Sequence, residues 1–168
     1  WGFENGATAW QFGGSLTAAV TNTEKHTGAA AAFLGSPPGY SQPPAGDATM
    51  SQVVQVPVAA LAPTLSFLHR FGTEFLSDSR LEVAIDDGAS PTVVFSANSG
   101  GDTWEHHWVD LTPWAGRSVT LRFKVIEAAG GAHAWAYIDE ITVGSAHPDI
   151  WVSLPGQLAA ALDRTFDT

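Results

Sequence analysis

The feature that most constrains this chain is an apolar alternation with a period of two. Leu81, Val83 and Ile85 alternate with Glu82 and Ala84. Val119, Leu121, Phe123 and Val125 alternate with Thr120, Arg122 and Lys124. Successive side chains of a strand point to opposite faces, so this spacing buries one face and wets the other. Residues 53–56 and 65–71 are more continuously apolar and read as central strands, and residues 135–143 form a long strand rich in aromatic and β-branched side chains. Residues 29–34, 93–96 and 106–110 read as shorter strands. Asp86-Asp87-Gly88 suits a tight hairpin, and residues 98–102 and 128–131 are further turns. Eight to ten short strands at this spacing predict an all-β sandwich, jelly roll or barrel. Residues 36–47, with four prolines, form a long loop of the kind that often carries function.

With 168 residues, 45% of them hydrophobic, the chain can build one full-sized core. Seven Trp and nine Phe leave aromatic rings over for a surface. Charged residues make up 14%, below the ~25% of an average soluble protein, so Ser, Thr, Asn, Gln, Gly and aromatics must share the exterior. The net charge of −10 repels phosphate backbones and anionic lipid, which sets aside nucleic acid and membrane surfaces as partners. Neutral glycans and divalent cations remain compatible. No cysteine is present, which removes disulfides and thiolate chemistry. No stretch approaches the ~18 apolar residues of a membrane span, and no secretory leader is visible.

Catalytic signatures are missing. There is no G-x-S-x-G elbow, no H-E-x-x-H helix and no glycine loop that would cradle phosphate. His106 and His107 are adjacent and would leave a strand on opposite faces, which disfavours joint ligation of one metal. The chain is therefore expected not to be an enzyme, although two carboxylates can always be paired in space by the fold.

Three segments together carry a resemblance. The first is Gly2-Phe3-Glu4-Asn5-Gly6 followed by Trp10, and the second is His26-Thr27-Gly28. The third runs from Val109-Asp110-Leu111-Thr112-Pro113-Trp114-Ala115-Gly116 through Val119-Thr120-Leu121-Arg122-Phe123 to the strand Trp135 to Val143. In this order they resemble the galactose-binding-like jelly rolls, which include calcium-containing carbohydrate-binding modules, MAM-type adhesion domains and accessory domains of secreted bacterial peptidases. The resemblance covers residues 1–145. It implies a two-sheet antiparallel jelly-roll sandwich in a secreted or cell-surface protein, with residues 146–168 a linker or the start of a following domain. It also implies a structural calcium held by Glu4 and Asp139, with backbone carbonyls from Lys25 to Gly28 and near Gly2, as a hard cation needs six to eight oxygens. The alternative is that Glu4 and Asp139 only hydrogen-bond backbone at strand ends.

Candidate ligand contacts follow from side-chain chemistry. Trp104 follows a polar, glycine-rich turn and stands beside Asp102 and His106. An indole can cover the C–H face of a sugar while neighbouring polar groups bond its hydroxyls. Tyr40, in the proline-rich loop, would be a second platform. Trp135 and Tyr137 share one face of their strand, a sugar platform if outward and core if inward. Trp10 reads as core, as does at least one of Trp108 and Trp114. The expected function is carbohydrate binding or adhesion, with a polysaccharide or glycan as partner. The rival reading is a structural or assembly module that contacts neighbouring domains or protein partners and has no sugar site.

Overall fold

A computed structural model describes residues 3–37, 39, 45–58, 62–74, 78–98, 102–129 and 133–145. Among these residues ten strands are formed: β1 (Gln11–Gly14), β2 (Thr17–Thr21), β3 (Ala31–Gly35), β4 (Gly46–Gln55), β5 (Pro63–Thr73), β6 (Arg80–Asp86), β7 (Thr92–Ala97), β8 (Glu105–Asp110), β9 (Ser118–Glu127) and β10 (Ala134–Ser145). They make two five-stranded sheets, β1-β4-β9-β6-β7 and β2-β3-β10-β5-β8, with every pairing antiparallel. This is the jelly-roll sandwich expected from the sequence.

The alternation does what it predicts. Leu81, Val83 and Ile85 of β6 and Val119, Leu121, Phe123 and Val125 of β9 are buried between the sheets. From the other sheet, Leu65, Phe67 and Phe71 of β5 and Ala134, Ala136 and Ile138 of β10 meet them. Phe123 is the centre of an aromatic cluster, its ring 5.2 Å from Phe67 and 5.9 Å from Trp10. Trp10 is thus core, and Trp114 packs half-buried against the core.

Some boundaries differ from expectation. The proline-rich loop ends sooner than predicted, because Gly46 and Asp47 already pair with Glu127 and Ile126 of β9. The β6–β7 connection is a five-residue loop rather than a tight hairpin, with Asp86 Oδ1 accepting from the Gly88 amide at 2.9 Å. Strands β1 and β2 were not predicted at all. Tyr40, Gly2 and the tail 146–168 lie outside the described residues.

Candidate functional site

The outer faces of the two sheets differ in chemistry. On β1-β4-β9-β6-β7 the outward side chains are largely Ser, Thr and paired charges. Lys124 meets Asp47 at 3.1 Å, and Arg80 meets Glu82 at 2.6 Å. A groove of about 410 Å³ on this side is lined by Gln11, Ser51, Gln52, Val53, Thr120 and Arg122, none of which is an aromatic ring. Such a surface can hydrogen-bond but offers no platform for stacking.

The outer face of β2-β3-β10-β5-β8 is different. Because Ala136 and Ile138 point inward, Trp135 and Tyr137 point outward. Trp135 lies against Gly72, where a Cβ would collide with its indole, and is only 9% exposed. Tyr137 is half-buried, its ring tilted 55° to that of Phe33 of β3 at 5.2 Å between centroids. The Arg70 guanidinium lies over its other flank at 5.9 Å. Burial is the largest influence on the Tyr137 hydroxyl and pushes its pKa up.

Two loops frame this floor. Asp102, in a left-handed conformation (φ 51°), takes a two-pronged ion pair from Arg70 Nε and Nη2 at 2.9 and 3.0 Å. Arg70 Nη1 donates to Glu24 at 2.7 Å. Trp104 stands one residue before the pair Glu105 and His69, which sets it opposite Arg70, and its ring meets His26 edge-on at 5.6 Å. His106 and Trp108 continue the outer face along β8, in contact with each other at 5.0 Å, and a His106 ring nitrogen hydrogen-bonds Ser66 at 2.6 Å. Desolvation lowers the His106 pKa. His107 points the other way, into a cluster with Phe67 and Phe95. Of the sequence-derived ligand candidates, Trp104, Asp102 and His106 thus stand on or beside one face.

The loop carrying Glu24 and His26 is fastened from below. Asp139, 1% exposed, accepts from the amides of His26 and Thr27 through Oδ2 at 3.0 and 3.2 Å. Its Oδ1 accepts from the Glu140 amide at 2.8 Å. Glu4 Oε2 accepts from the Ala29 amide at 2.7 Å. Gly28 has φ 65°, and a Cβ there would collide with the Glu4 carboxylate. Lys25 turns its ammonium to the Asn22 carbonyl at 3.1 Å. Glu4, Gly28 and Asp139 therefore all lie against the turn from His26 to Ala29. Amides face much of the two carboxylates. Glu4 Oε1 makes no hydrogen bond among the described residues, so it remains available to a hard cation. Among these residues no group of three His, Asp or Glu side chains is placed to hold a metal, so a calcium ion would depend on backbone carbonyls.

Glu140 was missed by the sequence reading. A β-bulge between Asp139 and Thr142 gives it φ 50° and turns it to the loop, where Thr27 Oγ1 and His26 Nδ1 reach Oε1 at 2.6 and 2.9 Å. Those two bonds, Thr27 first, lower its pKa. The signal was a phase slip: Ile138 and Ile141 both enter the core although three residues apart.

Solved structures share this architecture. A family-61 carbohydrate-binding module in complex with β-1,4-galactotriose superposes with a TM-score of 0.64 at 16% identity, covering 86% of this chain and 94% of that one. The likeness is one of fold, two antiparallel sheets packed face to face. The K3 adhesin domain of Lys-gingipain from Porphyromonas gingivalis gives a TM-score of 0.63 at 14% identity over 86% of this chain and 97% of that one. The CBM22-1 xylan-binding domain from Paenibacillus barcinonensis gives 0.52 at 16% identity over 87% and 93%. Neither a protein-family model nor a curated protein sequence matches the chain.

Proposed function

We propose that this is a non-catalytic glycan-binding module of a secreted or cell-surface protein, and that it holds its ligand on the outer face of β2-β3-β10-β5-β8. The observation that carries the reading is the alternation, on one face, of half-buried rings with fixed polar groups: Tyr137 and Trp104 beside Arg70, Asp102 and Glu24. Tyr137 and Trp104 are two strand positions apart, about 10 Å at the usual ~4.8 Å strand spacing. That separation suits every second sugar of one chain lying across the strands, each ring covering a C–H face while the polar groups bond hydroxyls. The solved neighbours support it, since one is in complex with β-1,4-galactotriose and another is a xylan-binding domain.

A structural calcium at the Glu4–Asp139 turn belongs to the same proposal. The ion would supply positive charge where Glu4, Asp139 and Glu140 approach one loop. Glu4 would hold it, with carbonyls of the turn from Lys25 to Gly28. The adhesin neighbour favours a second reading, in which the same face grips a protein partner.

A glycan-array screen, run with calcium and again with chelator, tests both parts. Binding that Trp104→Ala abolishes, in a variant that melts like the parent, is the expected result. A melting temperature that falls in chelator supports the ion. A folded protein that binds no glycan refutes the sugar reading and leaves the protein-partner one.

A further inference from the structure

We infer that Glu24 and Asp102 are specificity determinants that close the site to anionic glycans, so that its ligands are uncharged chains; this rests on the glycan-binding reading above. An arginine beside an aromatic floor is ordinarily a receptor for a uronate carboxylate or a sulfate, because its planar fork matches such groups in two parallel bonds. Here the Nε/Nη2 fork is already filled, and three of the five N–H donors are engaged. Nε and Nη2 of Arg70 are taken by Asp102, and Nη1 by Glu24. The Tyr137 ring covers part of the guanidinium face.

The surroundings reinforce the block. Glu140 places a third carboxylate on the same loop wall. Lys25, on the loop itself, is turned to the Asn22 carbonyl. Glu24 and Asp102 together outweigh the one guanidinium they hold, a local charge of −1. A uronate entering here meets uncompensated negative charge. It can take the Nε/Nη2 fork of Arg70 only by expelling Asp102, and it can use the remaining Nη protons only with both carboxylates beside it. A neutral chain meets neither obstacle. The outer lone pairs of Glu24 and Asp102, each 43% exposed at the side chain, remain free to accept its hydroxyls. One uncompensated charge at about 6 Å, at an effective dielectric of about 40, discriminates by about tenfold, and salt erodes the effect.

The test compares neutral polysaccharides (β-galactan, xylan, mixed-linked glucan) with polygalacturonate and a sulfated glycan on one array, at low and high salt. The parent protein should prefer neutral chains by about tenfold at low salt, less at high salt. Glu24→Gln/Asp102→Asn keeps shape and frees Arg70, and should shift the ratio of anionic to neutral binding upward by about tenfold or more. Adding Arg70→Gln should reverse that shift. Glu24→Gln alone, a smaller change, should move the ratio the same way and serves if the double variant fails to fold. Equal binding of both classes by the parent, or a ratio unmoved in the variants, overturns the inference while leaving glycan binding intact. No binding to any polysaccharide overturns the glycan-binding reading, and the inference with it.

Discussion

Replacing His69 by phenylalanine should remove much of the protein's sensitivity to acid between neutral pH and pH 4. His69 is 3% exposed, wedged between Phe67 and Phe95 at 5.7 and 4.9 Å, and Nδ1 finds no hydrogen-bond partner among the described residues. Burial, aided by the nearby His107, lowers its pKa from 6.5 to about 4. A histidine depressed on folding binds more protons when unfolded. Its contribution is therefore complete above pH 6.5 and is lost as pH falls through the window from 6.5 to 4. At 1.36 kcal/mol per unit, the shift amounts to about 3 kcal/mol. A phenylalanine ring has no proton to gain. Urea denaturation should show the parent losing about 3 kcal/mol more than His69→Phe between pH 7 and pH 4. Glu140 and Asp110, both held below the ordinary carboxylate range by hydrogen bonds, also lose stability in acid, but equally in both proteins, so the difference curve isolates His69. Parallel stability–pH curves would refute the argument that this imidazole is buried neutral.

Asp139→Ala leaves three backbone amides without their acceptor and should cost roughly 3 kcal/mol, read in urea, while weakening any Trp104-dependent binding because the loop above it is released. Gly28→Ala and Gly88→Ala both force a side chain into a left-handed backbone, but only at position 28 does the new Cβ meet Glu4. Each should lose about 1 kcal/mol to strain, with about 1 kcal/mol more at position 28. That excess should vanish in a Glu4→Ala background, and a cycle showing no coupling would sink the assignment.

Much of the sandwich was legible because its inner strands alternate. Strands β6 and β9 carry bulky inward residues at every second position, and no other structure uses that spacing. Strand β2 also alternates, with Ala18 and Val20 inward, but its residues are small and it runs only five positions. Strand β1 ends in two glycines and is held by pairing with β4 rather than by its own pattern. In β4 the inward row includes Ala48 and Gln52 beside Met50, which hides the first half of the strand. The site divides in the same way. Trp104, Asp102 and His106 lie close in sequence and could be picked out as a polar aromatic cluster. Glu24, Arg70 and Phe33 could not, because only the register of β3, β10 and β5 brings them together.

The fastening of the 22–30 loop bears on how the protein acquires its surface. Its partners are Glu4, Arg70, Asp139 and Glu140, so the loop is joined to the beginning, the middle and the last strand of the sandwich. The closure between His26 and Asp139 spans 113 positions, the type of long-range contact that forms late and slowly. A nascent chain that has not yet released β10 has no Asp139 to hold the loop and cannot present Glu24 and His26 in place. On the proposed reading, ligand recognition becomes a report of completed folding, and a ligand that captured this loop would stabilise the whole sandwich rather than one corner of it.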